Sequence, residues 1–305
     1  MSDGATAPRL VAVKASDPLI GGRRREASWP ERIGRALDPL LWPTGENLLA
    51  GLGVLDGLAR PSRLRQALDW ASAQPRGRHG RWGLTLRLLA NHGRFIAQEH
   101  LVGVRDPTTL RERVRVTGEE HLAAAGQRAT ILLGFHVGPP RSSLVLRLLG
   151  YPVTSMHDLV YRPPERPKGN RWAGWRATLP MERQESAYRV VTLRQARRHL
   201  VNQGWLYIAA DGPPGAEAYR ISLPGGPVII REGWLALRRL TGAMTLPVLA
   251  HLEGRRRMIT IHPPLPPVSS DSRADAKACR LVLTDLLCGY LHQFPEQCRA
   301  TVWRP

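Results

Sequence analysis

The chain is 305 residues long, 43% hydrophobic and 23% charged, which excludes a wholly disordered protein and allows a sizeable buried core. Lys plus Arg number 44 against 25 Asp plus Glu, a formal net charge of +19, and every basic residue except Lys14, Lys168 and Lys277 is arginine. Arginine pairs bidentately with phosphate and carboxylate, so the partners to expect are anionic: nucleic acid, lipid headgroups or acyl-phosphate groups.

Residues 1–28 mix small and polar residues with the cluster Arg23-Arg24-Arg25 and read as a disordered basic tail. Residues 29–104 read as a helical segment. Its clearest helix spans Trp82 to Val104, where Trp82, Leu86, Leu89, Gly93, Ile96, Leu101 and Val104 recur at helical spacing. That stripe is expected to pack in the core, with lying on a bilayer as its second use. From residue 105 to 305 the pattern is α/β. Strands are expected at Val114–Thr117, Thr130–Phe135, Pro152–Met156, Trp205–Ala210, Met244–Leu252 and Arg257–His262. Helices are expected at Glu119–Ala125, Ser142–Gly150, Leu193–Asn202, Arg231–Leu240 and Arg273–His292. Such alternation predicts a mixed central sheet flanked by helices. Tyr161–Ser186, rich in Pro, Arg and Trp, interrupts it as a long polar excursion.

Cys279, Cys288 and Cys298 form no metal-ligand spacing and read as reduced thiols of a cytoplasmic protein. No apolar run has the length of a membrane span, and the N-terminus lacks the pattern of a secretory signal. A soluble protein, or one bound to a membrane surface, is expected.

His136 is the focal residue. It ends a strongly apolar strand, and Gly138-Pro139-Pro140 is expected to open a helix immediately after it. Ligands of open α/β sheets bind at such strand-to-helix turns, and an imidazole there can take a proton from a hydroxyl near neutral pH. Asp211 ends a second apolar strand, in Ala209-Ala-Asp-Gly-Pro-Pro-Gly215.

Blocks in order along the chain carry a resemblance. They include Leu89-Ala-Asn-His-Gly-Arg-Phe95, Gly118-Glu-Glu-His-Leu122, Leu132-Leu-Gly-Phe-His136-Val-Gly138 and Leu149-Gly-Tyr-Pro-Val153. Val160-Tyr161-Arg162-Pro163, Leu206-Tyr-Ile-Ala-Ala-Asp211, Leu223-Pro-Gly-Gly226 and Phe294-Pro-Glu-Gln297 continue the series. Together they resemble the lipid A late acyltransferase branch of the lysophospholipid acyltransferase superfamily, over roughly Trp82 to Trp303. The resemblance implies an α/β acyltransferase-like fold at the inner face of a bacterial plasma membrane, serving lipid biosynthesis. It also implies acyl transfer from acyl-CoA or acyl carrier protein to a hydroxyl of a lipid or glycolipid, with no metal or other cofactor. It makes His136 the general base, and it places Gly225 and Gly226 on the acceptor side of the cleft.

One position departs from the family. Its hallmark is His-x-x-x-x-Asp/Glu, whereas here the run is His136-Val-Gly-Pro-Pro-Arg141. A guanidinium cannot accept the imidazole N–H, and its charge disfavours the imidazolium. Either another acid orients His136 or the chain does not perform the family reaction. Asp211 is the first candidate for that acid, with Asp158 and Glu232 behind it. Arg141, expected in the first turn of a helix, is a candidate for an anionic group of the ligand, as are Arg162 and Arg220. Two other readings compete with an acyltransferase. One is a degenerate family member that binds anionic lipid without turnover. The other is a nucleic-acid-binding protein, against which stand dispersed basic residues and the lack of a recognition motif.

Overall fold

The computed structural model describes residues 46–74, 80–101, 107–156, 185–211, 218–222, 228–254 and 256–298. The tail expected over residues 1–28 lies outside them, as does the excursion from Tyr161 up to residue 184.

Among the described residues three helices come first: α1 (Glu46–Ala59), α2 (Pro61–Ala73) and α3 (Arg81–Leu101). A short α4 (Pro107–Arg113) leads into β1 (Val114–Thr117), followed by α5 (Glu119–Ala125) and β2 (Thr130–Gly134). Then come α6 (Ser142–Leu148), β3 (Val153–Ser155), α7 (Glu185–Val201) and β4 (Trp205–Ala209). β5 (Ala218–Ile221) and β6 (Val228–Arg231) pair antiparallel as a separate hairpin. The chain continues through α8 (Gly233–Thr241), β7 (Met244–Glu253), β8 (Arg256–Ile261) and α9 (Ser272–Gln293), and closes on a 3₁₀ turn at Pro295–Gln297.

Six strands form one mixed sheet in the order β1-β8-β7-β2-β4-β3, parallel throughout except for the β7–β8 pair. β2 lies inside this sheet and all five of its residues are buried, which is why Thr130–Gly134 reads as an unbroken apolar run rather than an alternating one. Its side chains still alternate between two cores. Ile131 and Leu133 join Leu206 on one face, under Leu200 of α7, Trp234 and Leu237 of α8, and Leu283 and Leu287 of α9. Leu132 joins Leu246 and Val248 on the other, under Leu122 of α5 and Val145 and Leu146 of α6. The architecture is therefore mixed α/β, with helices on both faces of the sheet.

The N-terminal helices share the first of these cores through Trp70, Leu84, Leu88 and Leu89. Backbone carbonyls of the final 3₁₀ turn hold them there: Trp70 Nε1 donates to Pro295 O at 3.0 Å and Asn91 Nδ2 to Glu296 O at 2.9 Å.

Four expectations are corrected. The helix after His136 begins at Ser142, as expected for Ser142–Gly150, and is not opened by Gly138-Pro139-Pro140; Arg141 is its N-cap rather than a first-turn residue. A positive φ at Gly138 (69°) and at Arg141 (64°) turns the intervening chain too sharply for a helix. The segment around Arg231 is the end of β6, so the helix there starts at Gly233. The stripe on α3 is divided: Leu89 and Gly93 are buried, whereas Trp82 and Leu86 are 56% and 40% exposed.

Candidate active site

Strand register assembles the site. β2 and β4 are parallel neighbours with Gly134 opposite Ala209, and the ladder continues one step further as Ala210 N–H donates to Gly134 O at 2.9 Å. His136 and Asp211 each stand two residues beyond that last pair, so equal offsets bring them abreast at the carboxyl edge of the sheet.

There the side chains meet. His136 Nδ1 lies 2.8 Å from Asp211 Oδ1, and the His136 backbone N–H points at both carboxylate oxygens, at 2.9 and 2.8 Å. The Asp211 side chain is fully buried, whereas that of His136 is 51% exposed. One carboxylate thus fixes the backbone and the ring of a single histidine. An ionised carboxylate only accepts, so Nδ1 carries the proton and Nε2 is the basic nitrogen of the neutral ring.

The loop carrying His136 is anchored along its length. Gly138 N–H donates to Gln297 O at 2.9 Å. The Gln297 amide in turn bonds both sides of Leu252, accepting from its N–H at 2.7 Å and donating to its carbonyl at 2.9 Å. Gly138 is required twice over: its φ is positive, and a Cβ there would run into the Ala250 carbonyl and the Tyr290 hydroxyl. Arg257 Nη1, from β8, donates to Pro140 O at 3.0 Å. The buried Ser142 hydroxyl hydrogen-bonds with the Tyr207 phenol, which lies so close over Gly134 that a Cβ at Gly134 would collide with it. Burial, and then the Asp211 charge, push the Tyr207 phenol well above its usual range, so it remains protonated beside the carboxylate.

Of the other acids considered, Glu232 is buried and binds Arg280 bidentately, at 2.6 and 2.7 Å. Its carboxylate is committed to β6–α9 packing rather than to the imidazole. Asp158 lies outside the described residues, as do Arg162, Gly225 and Gly226. Arg141 is exposed, five residues after His136, and Arg220 is exposed on β5. Among the described residues, no group of His, Cys, Asp and Glu side chains is arranged to hold a metal ion. Cys279, Cys288 and Cys298 are not joined in disulfides, and burial pushes the Cys279 and Cys288 thiols upward.

Tyr207, Ser142, Arg257 and Gln297 were not among the residues singled out from the sequence. Gly134 inside an apolar strand was the available signal, since a glycine there marks a close approach by another group.

Chemically, a half-exposed imidazole backed by a buried carboxylate has the groups to serve as a general base for an oxygen or sulfur nucleophile, and as a general acid once it holds the proton. No protein-family model matches the chain, and no curated protein sequence matches it.

Proposed function

We propose that this protein is an acyltransferase that moves a fatty acyl group from an acyl thioester to a hydroxyl of a lipid or glycolipid, with His136 as base. The observation that carries the reading is the Asp211 carboxylate on His136 Nδ1. It supplies from a second strand the acid that Arg141 fails to supply at the motif position.

The acceptor hydroxyl gives its proton to His136 Nε2 as its oxygen attacks the thioester carbonyl carbon and the new C–O bond forms. Asp211 stabilises the imidazolium so produced. Collapse of the tetrahedral intermediate breaks the C–S bond, and the departing thiolate takes the proton back from Nε2. The reaction is balanced without a metal or redox cofactor. In this reading Arg141, Arg162, Gly225 and Gly226 contact the anionic parts of donor or acceptor, the sheet belongs to an acyltransferase-like fold, and the protein works peripherally at a bacterial plasma membrane. No helix among the described residues is long and apolar enough to cross a membrane.

The test is transfer of a labelled acyl chain from acyl-CoA or acyl carrier protein to glycolipid and lysolipid acceptors. The reading expects transfer by the full chain and its loss in His136→Ala. Equal transfer by both proteins would refute it. An arginine in the usual carboxylate position favours a second reading, a lipid-binding protein without turnover; salt-sensitive binding to anionic vesicles with no transfer to any acceptor selects it.

A further inference from the structure

α1 exposes large apolar side chains on one face and packs glycine on the other. Ala50, Gly53 and Gly57 are buried, the two glycines against α3, whereas Gly51 and Ala59 are exposed. A Cβ on Gly53 would lie 2.5 Å from Leu89 O and 2.7 Å from Gly93 N, and one on Gly57 would run into the Leu89 side chain. The two helix backbones therefore approach as closely as only glycine allows. On the opposite side of α1, Leu52, Leu55 and Leu58 recur at every third residue and are 50%, 63% and 45% exposed. A helix stabilised by water exclusion buries its leucines and exposes its small and polar residues. Here three leucines face outward over a seam of buried glycines, as in helices that meet one another within lipid.

The patch continues onto α3. Trp82 and Leu86 fall on the same helical face as Leu89 and Gly93, just past the point where α1 stops covering it. Exposed arginines adjoin both: Arg81 precedes Trp82 and Arg87 follows Leu86. Leucine and tryptophan flanked by arginine match the layered chemistry of a bilayer surface, acyl chains below and phosphate above. A second copy of this chain suits the face less well. It would bring the same arginines together in a protein that already carries a net charge of +19.

We infer that the outward face of α1, extended by Trp82 and Leu86 of α3, docks on a bilayer containing anionic phospholipid, with Arg81 and Arg87 at the headgroup level. This rests on the membrane-surface location proposed above and not on acyl transfer, and vesicle binding is read without turnover, so either can fail alone.

The experiment is co-sedimentation of the full chain with phosphatidylglycerol–phosphatidylethanolamine vesicles, for wild type and for the combined variant Leu52→Gln, Leu55→Gln, Leu58→Gln. These are exposed positions, so the unfolding temperature should be preserved while vesicle affinity falls by about tenfold or more. Arg81→Gln with Arg87→Gln should weaken binding to these vesicles more than to phosphatidylcholine vesicles. A Leu55→Cys variant should react with a water-soluble maleimide above the level of the parent chain, and vesicles should protect it. Three results would overturn the inference: undiminished vesicle binding by the leucine variant, a Leu55→Cys thiol already protected without lipid, or a wild-type dimer that the leucine substitutions convert to monomer.

Discussion

Replacing Asp211 with Asn is the sharpest perturbation of the dyad, because it keeps the shape and removes the charge. In the native site Oδ1 faces both His136 Nδ1 and the His136 backbone N–H, while Oδ2 faces that same N–H at 2.8 Å. Asparagine has one acceptor for these three contacts. If its oxygen takes the Oδ1 position, its NH2 confronts the backbone N–H donor to donor. If it flips, the NH2 donates to Nδ1 and forces the proton onto Nε2, so the base is lost. Either way the imidazolium formed during attack loses its fully buried counter-charge. Loss of the tautomer and the counter-charge together is expected to cost about 4–5 kcal/mol of transition-state stabilisation, about 10³–10⁴-fold in kcat with KM little changed. In either orientation the NH2 also faces the His136 backbone N–H donor to donor, which costs about 1–3 kcal/mol of stability. Initial rates of acyl transfer read the first effect and denaturant unfolding reads the second. Because the two residues act as a unit, adding His136→Ala to Asp211→Asn should lower the rate little further. A rate for Asp211→Asn within about tenfold of wild type would refute the assignment of Asp211 as the orienting acid.

Three other outcomes follow from the same structure. Gly138→Ala should cost about 2–4 kcal/mol in denaturant unfolding and depress kcat, since its Cβ meets the Ala250 carbonyl in the loop that carries His136. Asp275→Ala should cost about 3–5 kcal/mol, because that carboxylate is the buried partner of Arg238 at 3.2 Å and also binds Arg239 at 3.3 Å; an unchanged unfolding midpoint would contradict it. Burial, and then the neighbouring His121, hold the His262 imidazole below its ordinary value of 6.5. The unfolded chain therefore binds the extra proton first. His262 favours folding in full above about pH 6.5, and this contribution declines as pH falls toward the lowered folded value. Unfolding temperatures measured between pH 7 and pH 5 should fall less steeply in His262→Gln than in wild type.

The mixed α/β class was legible because the period changes after Pro107 and because β2, β4, β7 and β8 are long or strongly apolar runs. The hairpin of β5 and β6 was not. Each strand has four residues, too few to establish an alternating pattern, and Val228–Arg231 runs into α8 with only Glu232 between them. The N-terminal stripe was read correctly in its helical period but not in its destination. Periodicity reports which residues share a face, whereas what covers that face depends on where α1 ends. At the site, the sequence marked His136 and Asp211 as strand ends and put Asp211 first among three candidate acids, but a single chain does not reveal that β2 and β4 are neighbours in the register Gly134 to Ala209. That register is a tertiary property, and it decides whether two residues 75 positions apart touch. In the loop after His136 the helix start at Ser142 was legible, but Gly138-Pro139-Pro140 is also compatible with a helix start, and the positive φ values at Gly138 and Arg141 exclude it.

Nitrogen NMR of the His136 imidazole, at a pH where the ring is neutral, tests the dyad most directly. The geometry predicts a proton on Nδ1 and a bare, basic Nε2 in wild type, with that preference lost in Asp211→Asn. A ring protonated on Nε2 in wild type, and indifferent to Asp211→Asn, would contradict it.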